Sequence, residues 1–274
     1  MDISAVAGAG SQLMNPTDAR AHAGDGADAV PHVTDRVSIA ARADLFTLQG
    51  EALDNALARL FVLADESITV GDGHTHRTFA LRKPANADHL ISEADFVMDE
   101  RLPYWADLWP SSRVLAGALL RHVGQGKRLL ELGCGLGLDT VAAMTAGYAV
   151  TATDYYEDAL HVTRMNARHN LGHEPTVRMV NWRQWPHDIG AFDVVIAADV
   201  LYEREYATLV ARCIASALSP TGEAWVADPG RLALPDFLEQ LAPAGLVLRD
   251  RTVVPFEEGA VKQQVQLLRI THAD

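Results

Sequence analysis

Glu131-Leu132-Gly133-Cys134-Gly135-Leu136-Gly137 is the stretch that decides the fold. An apolar run, Arg128-Leu129-Leu130, enters it, and a helical pattern over residues 138–146 leaves it. Glycine at alternate positions lets the backbone turn sharply and come close to a ligand, because no Cβ intervenes. A second apolar run over residues 148–152 leads to Asp154, roughly 20 positions past the start of the loop. The predicted unit is therefore strand, glycine loop, helix and strand, with an acid at the tip of the second strand. In that arrangement the acid accepts hydrogen bonds from a ribose, so a nucleoside cofactor is expected.

Glycine spacing narrows the choice of cofactor. A dinucleotide loop requires a third small residue for close helix–strand packing, and counting from Gly133 that position holds Leu138. This argues against a NAD-dependent dehydrogenase. An acid followed by Gly-x-Gly-x-Gly instead resembles motif I of the class I S-adenosylmethionine-dependent methyltransferases. The resemblance implies a loop that cradles a methionine tail and sulfonium where other loops hold a phosphate.

Composition sets outer bounds. The 274 residues suffice for one large domain with extensions, and 49% of them are hydrophobic, enough for a full core. A net charge of −13 repels phosphate backbones, so no nucleic-acid partner is expected, while basic protein surfaces suit the charge better. The two cysteines, Cys134 and Cys213, have no metal-ligand spacing and are consistent with a reducing cytosol. No apolar run is long enough to span a bilayer and the first residues lack a secretory pattern, so a cytoplasmic location and no membrane partner are expected. Asp72, His74 and His76 could be imagined as metal ligands, but a short polar turn accounts for them and no metal is expected.

Along the chain, residues 1–42 are rich in Ala, Gly, Asp and His and are predicted to be a largely disordered tail. Residues 43–101 are read as an extension, with a helix over about 48–63 and short strands over 67–70 and 78–81. A loop is expected over 84–93. Beyond it, residues 102–274 alternate strands and helices. Strands are predicted over 177–180, 192–197 and 223–227, helices over 157–169, 206–218 and 235–242, and a closing antiparallel pair over 246–254 and 261–270. Ser111 and Ser112, after Pro110, are expected to cap the helix that precedes the glycine loop.

Several further motifs occur in one order: Pro103-Tyr-Trp-Ala-Asp-Leu-Trp109-Pro110, the glycine loop, Asp154, Asn181-Trp182, Ala198-Asp199-Val-Leu-Tyr202 and Asp228-Pro-Gly-Arg231. Together they resemble the family 16 group of seven-β-strand methyltransferases, which includes lysine methyltransferases and nicotinamide N-methyltransferase-like proteins. The branch acting on the β subunit of the electron-transfer flavoprotein is the most similar. The resemblance covers residues 102 to the C-terminus and implies an α/β fold, a doubly wound, seven-stranded, mostly parallel Rossmann-like sheet with a reversed edge strand and an N-terminal extension. It also implies S-adenosylmethionine as cofactor, S-adenosylhomocysteine as product, and a lysine-bearing protein as substrate.

Carried onto this chain, the resemblance implies that Gly133, Cys134 and Gly135 line the methionine tail through backbone contacts, with Glu131 and Gly137 completing the motif. Asp154 would hold both ribose hydroxyls beside Tyr155, and Trp109 and Trp182 would flank the cofactor. Asn181 would accept from the adenine amine, and Ala198 would pack on the cofactor. Asp199 and Tyr202 are the candidate catalytic pair, Asp199 attracting a cationic amine and Tyr202 offering a ring wall or hydroxyl. Core packing remains an alternative for both tryptophans, and turn capping for Asp199. Arg231 could grip a substrate carboxylate or pair with Asp228. A small-molecule N-methyltransferase and a non-catalytic S-adenosylmethionine-binding protein remain open as alternative functions.

Overall fold

The computed structural model describes residues 44–86, 90 and 103–273. The tail expected over 1–42, and much of the loop expected over 84–93, lie outside the described residues. The elements in order are α1 (Glu51–Leu60), β1 (Leu63–Gly71), β2 (His76–Pro84), α2 (Pro110–Leu119), β3 (Arg128–Leu132), α3 (Leu138–Thr145), β4 (Ala149–Asp154) and α4 (Glu157–Leu171). They continue with β5 (Thr176–Met179), β6 (Phe192–Ala198), α5 (Arg204–Ala217), β7 (Leu218–Asp228), α6 (Leu234–Leu241), β8 (Leu246–Glu258) and β9 (Val261–His272).

Seven strands form one sheet in the order β5-β4-β3-β6-β7-β9-β8. The pairs from β5 through β7 are parallel, and β9 runs antiparallel to both β7 and β8. The reversed strand is thus β9, inserted between β7 and the edge strand β8.

The continuous apolar runs of β3 and β6 reflect burial on both faces. Successive side chains point to opposite sides of a strand. Leu130, Leu132, Val195 and Ala197 therefore pack with Val210 and Ile214 of α5 and Phe237 of α6. Leu129, Val194 and Ile196 pack with Leu115 and Leu119 of α2 and Leu160 of α4. Each buried Val, Leu, Ile or Phe among them contributes about 1.5–3 kcal/mol relative to exposure.

The N-terminal elements lie over α2, α3 and α4. Leu53 and Leu57, one helical turn apart on α1, bury against Ala159, Val162 and Met165 of α4. Ile68, Val70, Phe79 and Leu81 of the hairpin pack on Ala116, Val141 and Ala167. Both hairpin strands are longer than the apolar alternation predicts, with register running from Leu63↔Pro84 to Gly71↔His76. The added length is carried by cross-strand charge pairs, Arg82 with Asp65 at 2.7 Å and Lys83 with Glu66 at 2.8 Å, which hydropathy does not register. β7 likewise begins at Leu218, ahead of the strand expected over 223–227, because Leu218 still pairs with Phe192.

Two asparagines on α4 hold the hairpin. The Asn166 side chain accepts from Arg82 N (2.8 Å) and donates to the carbonyls of Arg82 (3.0 Å) and Leu136 (2.9 Å). Asn170 does the same for Ala80 N and O, at 2.9 and 2.8 Å. Their amides serve the backbone groups of β2 much as a neighbouring strand would. Asn166→Ala leaves Arg82 and Leu136 backbone groups without these partners. We expect a loss of roughly 1–3 kcal/mol in unfolding free energy, with faster hydrogen exchange at the Arg82 amide. Unchanged exchange there would show that the hairpin is held by apolar packing alone.

Candidate active site

The strand order turns around at β3: β4 and β5 lie to one side, and β6 and β7 to the other. Chain segments leaving the carboxyl ends of β3 and β6 diverge there and open a crevice. A cavity of about 670 Å³ occupies it, within the range of small-molecule sites. Its walls include Trp109, Gly133, Cys134, Gly135, Asp154, Tyr155, Asn181, Trp182, Ala198, Asp199 and Tyr202. Glu131 and Gly137, also expected at the cofactor, are not among the lining residues.

The reason is local. Glu131 is buried within β3, where Thr140 Oγ1 donates to its Oε2. Burial, then the nearby Asp139, pushes its carboxyl well above the usual range. Gly137 has φ +83°, and a Cβ there would meet Thr163 Oγ1 at 2.8 Å, so this glycine serves the contact between the loop and α4. Gly133, at φ +77°, faces the crevice, where a Cβ would lie 3.3 Å from Val200 and 3.8 Å from the Trp182 ring.

Asp154 ends β4 with its carboxylate buried. Its Oδ2 accepts from Gly135 N and its Oδ1 from Tyr156 N, both at 3.0 Å. Burial raises its pKa, and these backbone N–H groups oppose the rise. The Tyr155 N–H is a third backbone donor to this carboxylate, which leaves part of its acceptor capacity open. Asn181 Oδ1 accepts from Arg183 N at 2.9 Å, which orders the short 3-10 turn carrying Trp182. The Cys134 thiol is buried, accepts from Thr163 Oγ1 at 3.3 Å, and is pushed well above its ordinary pKa by burial.

Aromatic rings line the mouth of the cavity. Tyr202 meets Tyr104 and Tyr206 edge-on, with centroids 5.2 and 4.9 Å apart, and Tyr206 meets Trp182 at 5.4 Å. Trp109 Nε1 donates to the Tyr104 carbonyl at 2.9 Å. Burial and the neighbouring Tyr206 raise the pKa of the Tyr202 hydroxyl, so it stays protonated and is unsuited to act as a base.

Asp199 follows β6 with φ +59°, a left-handed conformation costly for a side chain other than glycine. Its N–H donates to the Ala227 carbonyl at 2.9 Å. Arg231 Nε donates to its Oδ1 at 2.6 Å, and Ser111 Oγ donates to its Oδ2 at 3.1 Å. These contacts correct two expectations. Arg231 pairs with Asp199 instead of Asp228, so a cation already meets the Asp199 charge. Ser111 serves Asp199, while Trp109 occupies the cap position of α2 with Pro110 next and no side-chain cap bond. Asp228 accepts at Oδ1 from the N–H groups of Gly230 and Arg231, each at 2.7 Å, and so shapes the turn that presents Arg231. Sequence reading passed over Tyr104 and Tyr206 as wall residues; the only signal was their closeness in sequence to Trp109 and Tyr202.

In the turn between β1 and β2, Asp72 Oδ1 accepts from the N–H groups of His74 and Thr75, both at 2.9 Å. Among the described residues no group of three or more His, Cys, Asp or Glu side chains is placed to hold a metal, and no helix is long and apolar enough to cross a membrane.

The family described as "Methyltransferase domain" matches residues 129–222, from β3 into β7. The electron transfer flavoprotein beta subunit lysine methyltransferase of Danio rerio is 30% identical over 141 residues, covering 49% of this chain and 53% of that protein. The protein-lysine methyltransferase METTL21E of Mus musculus is 32% identical over 115 residues, 38% of this chain and 47% of that protein. The chain thus spans about half the length of these curated relatives. In fold it is similar to the magnesium protoporphyrin IX methyltransferase (ChlM) of Synechocystis PCC 6803, with a TM-score of 0.51, 18% identity, and coverage of 68% of this chain and 95% of that one. The cavity residues fit S-adenosylmethionine. A side chain at Gly133 would intrude on the cradle, Asp154 keeps acceptor capacity on the cavity wall, and Trp109 and Trp182 offer ring faces there.

The buried Asp228 gives a pH test. Burial lifts its pKa from 3.8 to about 6, and its Oδ2 has no partner among the described residues. Because the folded value lies above the unfolded one, the folded chain holds this proton more tightly. The associated stability is complete below the unfolded pKa and declines as pH rises through about 6, by on the order of 2–3 kcal/mol. Asp228→Asn should flatten that part of the unfolding free-energy profile between pH 4 and 7. A variant profile parallel to wild type would assign the decline to other groups.

Proposed function

We propose that this chain, which carries a class I S-adenosylmethionine-dependent methyltransferase domain, methylates an amine on a protein, most specifically a lysine side chain. The observation that carries the reading is the aromatic-walled cleft in which Asp199 and Tyr202 follow β6 on the same rim as the glycine loop and Asp154. Two relatives named as lysine methyltransferases support it, over the part of the chain that they match.

S-adenosylmethionine supplies an electrophilic methyl group on a sulfonium. The chain supplies placement. Asp154 is assigned to the ribose hydroxyls, the backbone of Gly133 to Gly135 to the methionine tail, and Trp109 and Trp182 to the flanking faces. Asn181 reaches the adenine end, with its side-chain oxygen already accepting one backbone N–H. Tyr104, Tyr202 and Tyr206 stand on the wall of the cavity that also holds Asp199. An amine needs no base once it has lost its proton, so positioning and desolvation are the main demands. A small-molecule amine is the second reading, and the ring-lined wall is the observation in its favour.

Transfer of labelled methyl from S-adenosylmethionine into cell extract, separated into protein and metabolite fractions, tests the reading. Label is expected in a discrete protein band, on lysine after hydrolysis. Label confined to metabolites would move the assignment to a small-molecule acceptor. Asp154→Ala should weaken binding of S-adenosylhomocysteine, measured by calorimetry, by at least about tenfold, since hydrogen bonds to a charged acceptor each contribute about 1.5–3 kcal/mol. Wild-type affinity in that variant would remove Asp154 from the site.

A further inference from the structure

An amine acceptor poses a difficulty for a site built around Asp199. A bare carboxylate within about 4–6 Å favours the ammonium form, which has no lone pair to accept a methyl group. Yet the Asp199 charge is not bare. Arg231 Nε lies 2.6 Å from one carboxylate oxygen, and Ser111 Oγ lies 3.1 Å from the other. The Asp199 side chain is 2% exposed and that of Arg231 33%, so the guanidinium is the more open partner of the pair.

Arg231 is itself held from two further directions. Its guanidinium carbon lies 5.1 Å from the centre of the Trp109 ring, a cation over an aromatic face. Its backbone N–H donates to Asp228 Oδ1 at 2.7 Å, within the turn that follows β7. The left-handed backbone of Asp199 belongs to the same arrangement, which joins the ends of β6 and β7 and the start of α2.

We propose that Arg231 is a positioning residue that cancels the charge of Asp199, so that the acceptor amine enters beside a neutral pair and is held there as the free base. The proton of the bound amine is lost to solvent before transfer. Arg231 acts through Asp199, and the inference rests on the amine-acceptor reading above.

The test is the pH dependence of kcat, which reports groups in the bound complex, for the protein acceptor found by label transfer. In Arg231→Gln the Asp199 carboxylate is unpaired and raises the amine pKa, so the rising limb of the profile should move to higher pH by about one unit or more. In Asp199→Asn the guanidinium is unpaired and the limb should move to lower pH. The double variant should return close to wild type, and Arg231→Lys should keep most of the wild-type position. Other charged groups near the pair, Asp107, Asp139, Asp154, Arg183 and Glu203 on the cavity wall and Asp228 behind it, are present in every variant. So are Tyr202 and Tyr206, which burial moves above their ordinary range.

Calorimetric binding of S-adenosylhomocysteine shows which variants keep a folded site. If Arg231→Gln does not, the downward shift of Asp199→Asn carries the test. Profiles that stay in place in folded variants, while the wild type still methylates a protein amine, would overturn this inference alone. A wild type that labels no amine would overturn the reading beneath it.

Discussion

The site depends on one topological constraint, the reversal of strand order at β3. Parallel strands carry all their carboxyl ends to one edge of the sheet. Reversal makes the segments leaving β3 and β6 part in opposite directions, so the backbone itself leaves a crevice. Into it come the glycine loop from β3, Asp154 from β4, Asp199 from β6 and Arg231 from the turn after β7. Helices on both faces keep these strands dry. Leu129 and Leu130, adjacent in sequence, bury against opposite layers.

Around the crevice, acidic side chains are managed by hydrogen bonds from short polar groups and backbone N–H donors. Consecutive serines in the first turn of α2 serve two acids: Ser111 bonds Asp199, and Ser112 bonds Asp139. The N-terminal end of a helix also favours nearby negative charge. Backbone N–H groups hold Asp154 and Asp228, and Thr140 holds Glu131. Only Asp199 among these acids is paired directly with a guanidinium. That distinction fits a group facing the acceptor, where net charge governs the protonation of an amine, while the others shape loops.

Neither candidate catalytic side chain is placed to act as a general base. Tyr202 stays protonated, and Asp199 has both oxygens engaged. For a reaction limited by placement and dehydration, ring walls are suitable parts. They supply contact area with few rotatable bonds, and Tyr104, Trp182, Tyr202 and Tyr206 brace one another edge to face.

Much of this was legible in the sequence because it is local. Glycine at 133, 135 and 137 permits backbone that other residues resist, and the apolar runs of β3 and β6 announce strands buried on both faces. Asp154 and Asp199 stand at strand ends, where the period of the pattern stops. Other features escaped for physical reasons. The hairpin's outer pairs are charged, so alternation of apolar residues understated its strands. Ser111 and Ser112 have the chemistry of helix caps, and only the position of Asp199 beside α2 shows where the first of them bonds.

The sequence by itself determined the element order, the glycine loop and the acids at the strand tips, since each follows from backbone freedom and side-chain period within a few residues. Tertiary structure alone decided which charge meets which. Asp228 is three positions from Arg231 and the simplest partner by spacing, yet its carboxylate is taken by the backbone of its own turn. The Arg231 side chain instead crosses to Asp199, 32 positions away in the chain. Parallel β6 and β7 place those two segments side by side, and electrostatic partners are chosen by distance in space.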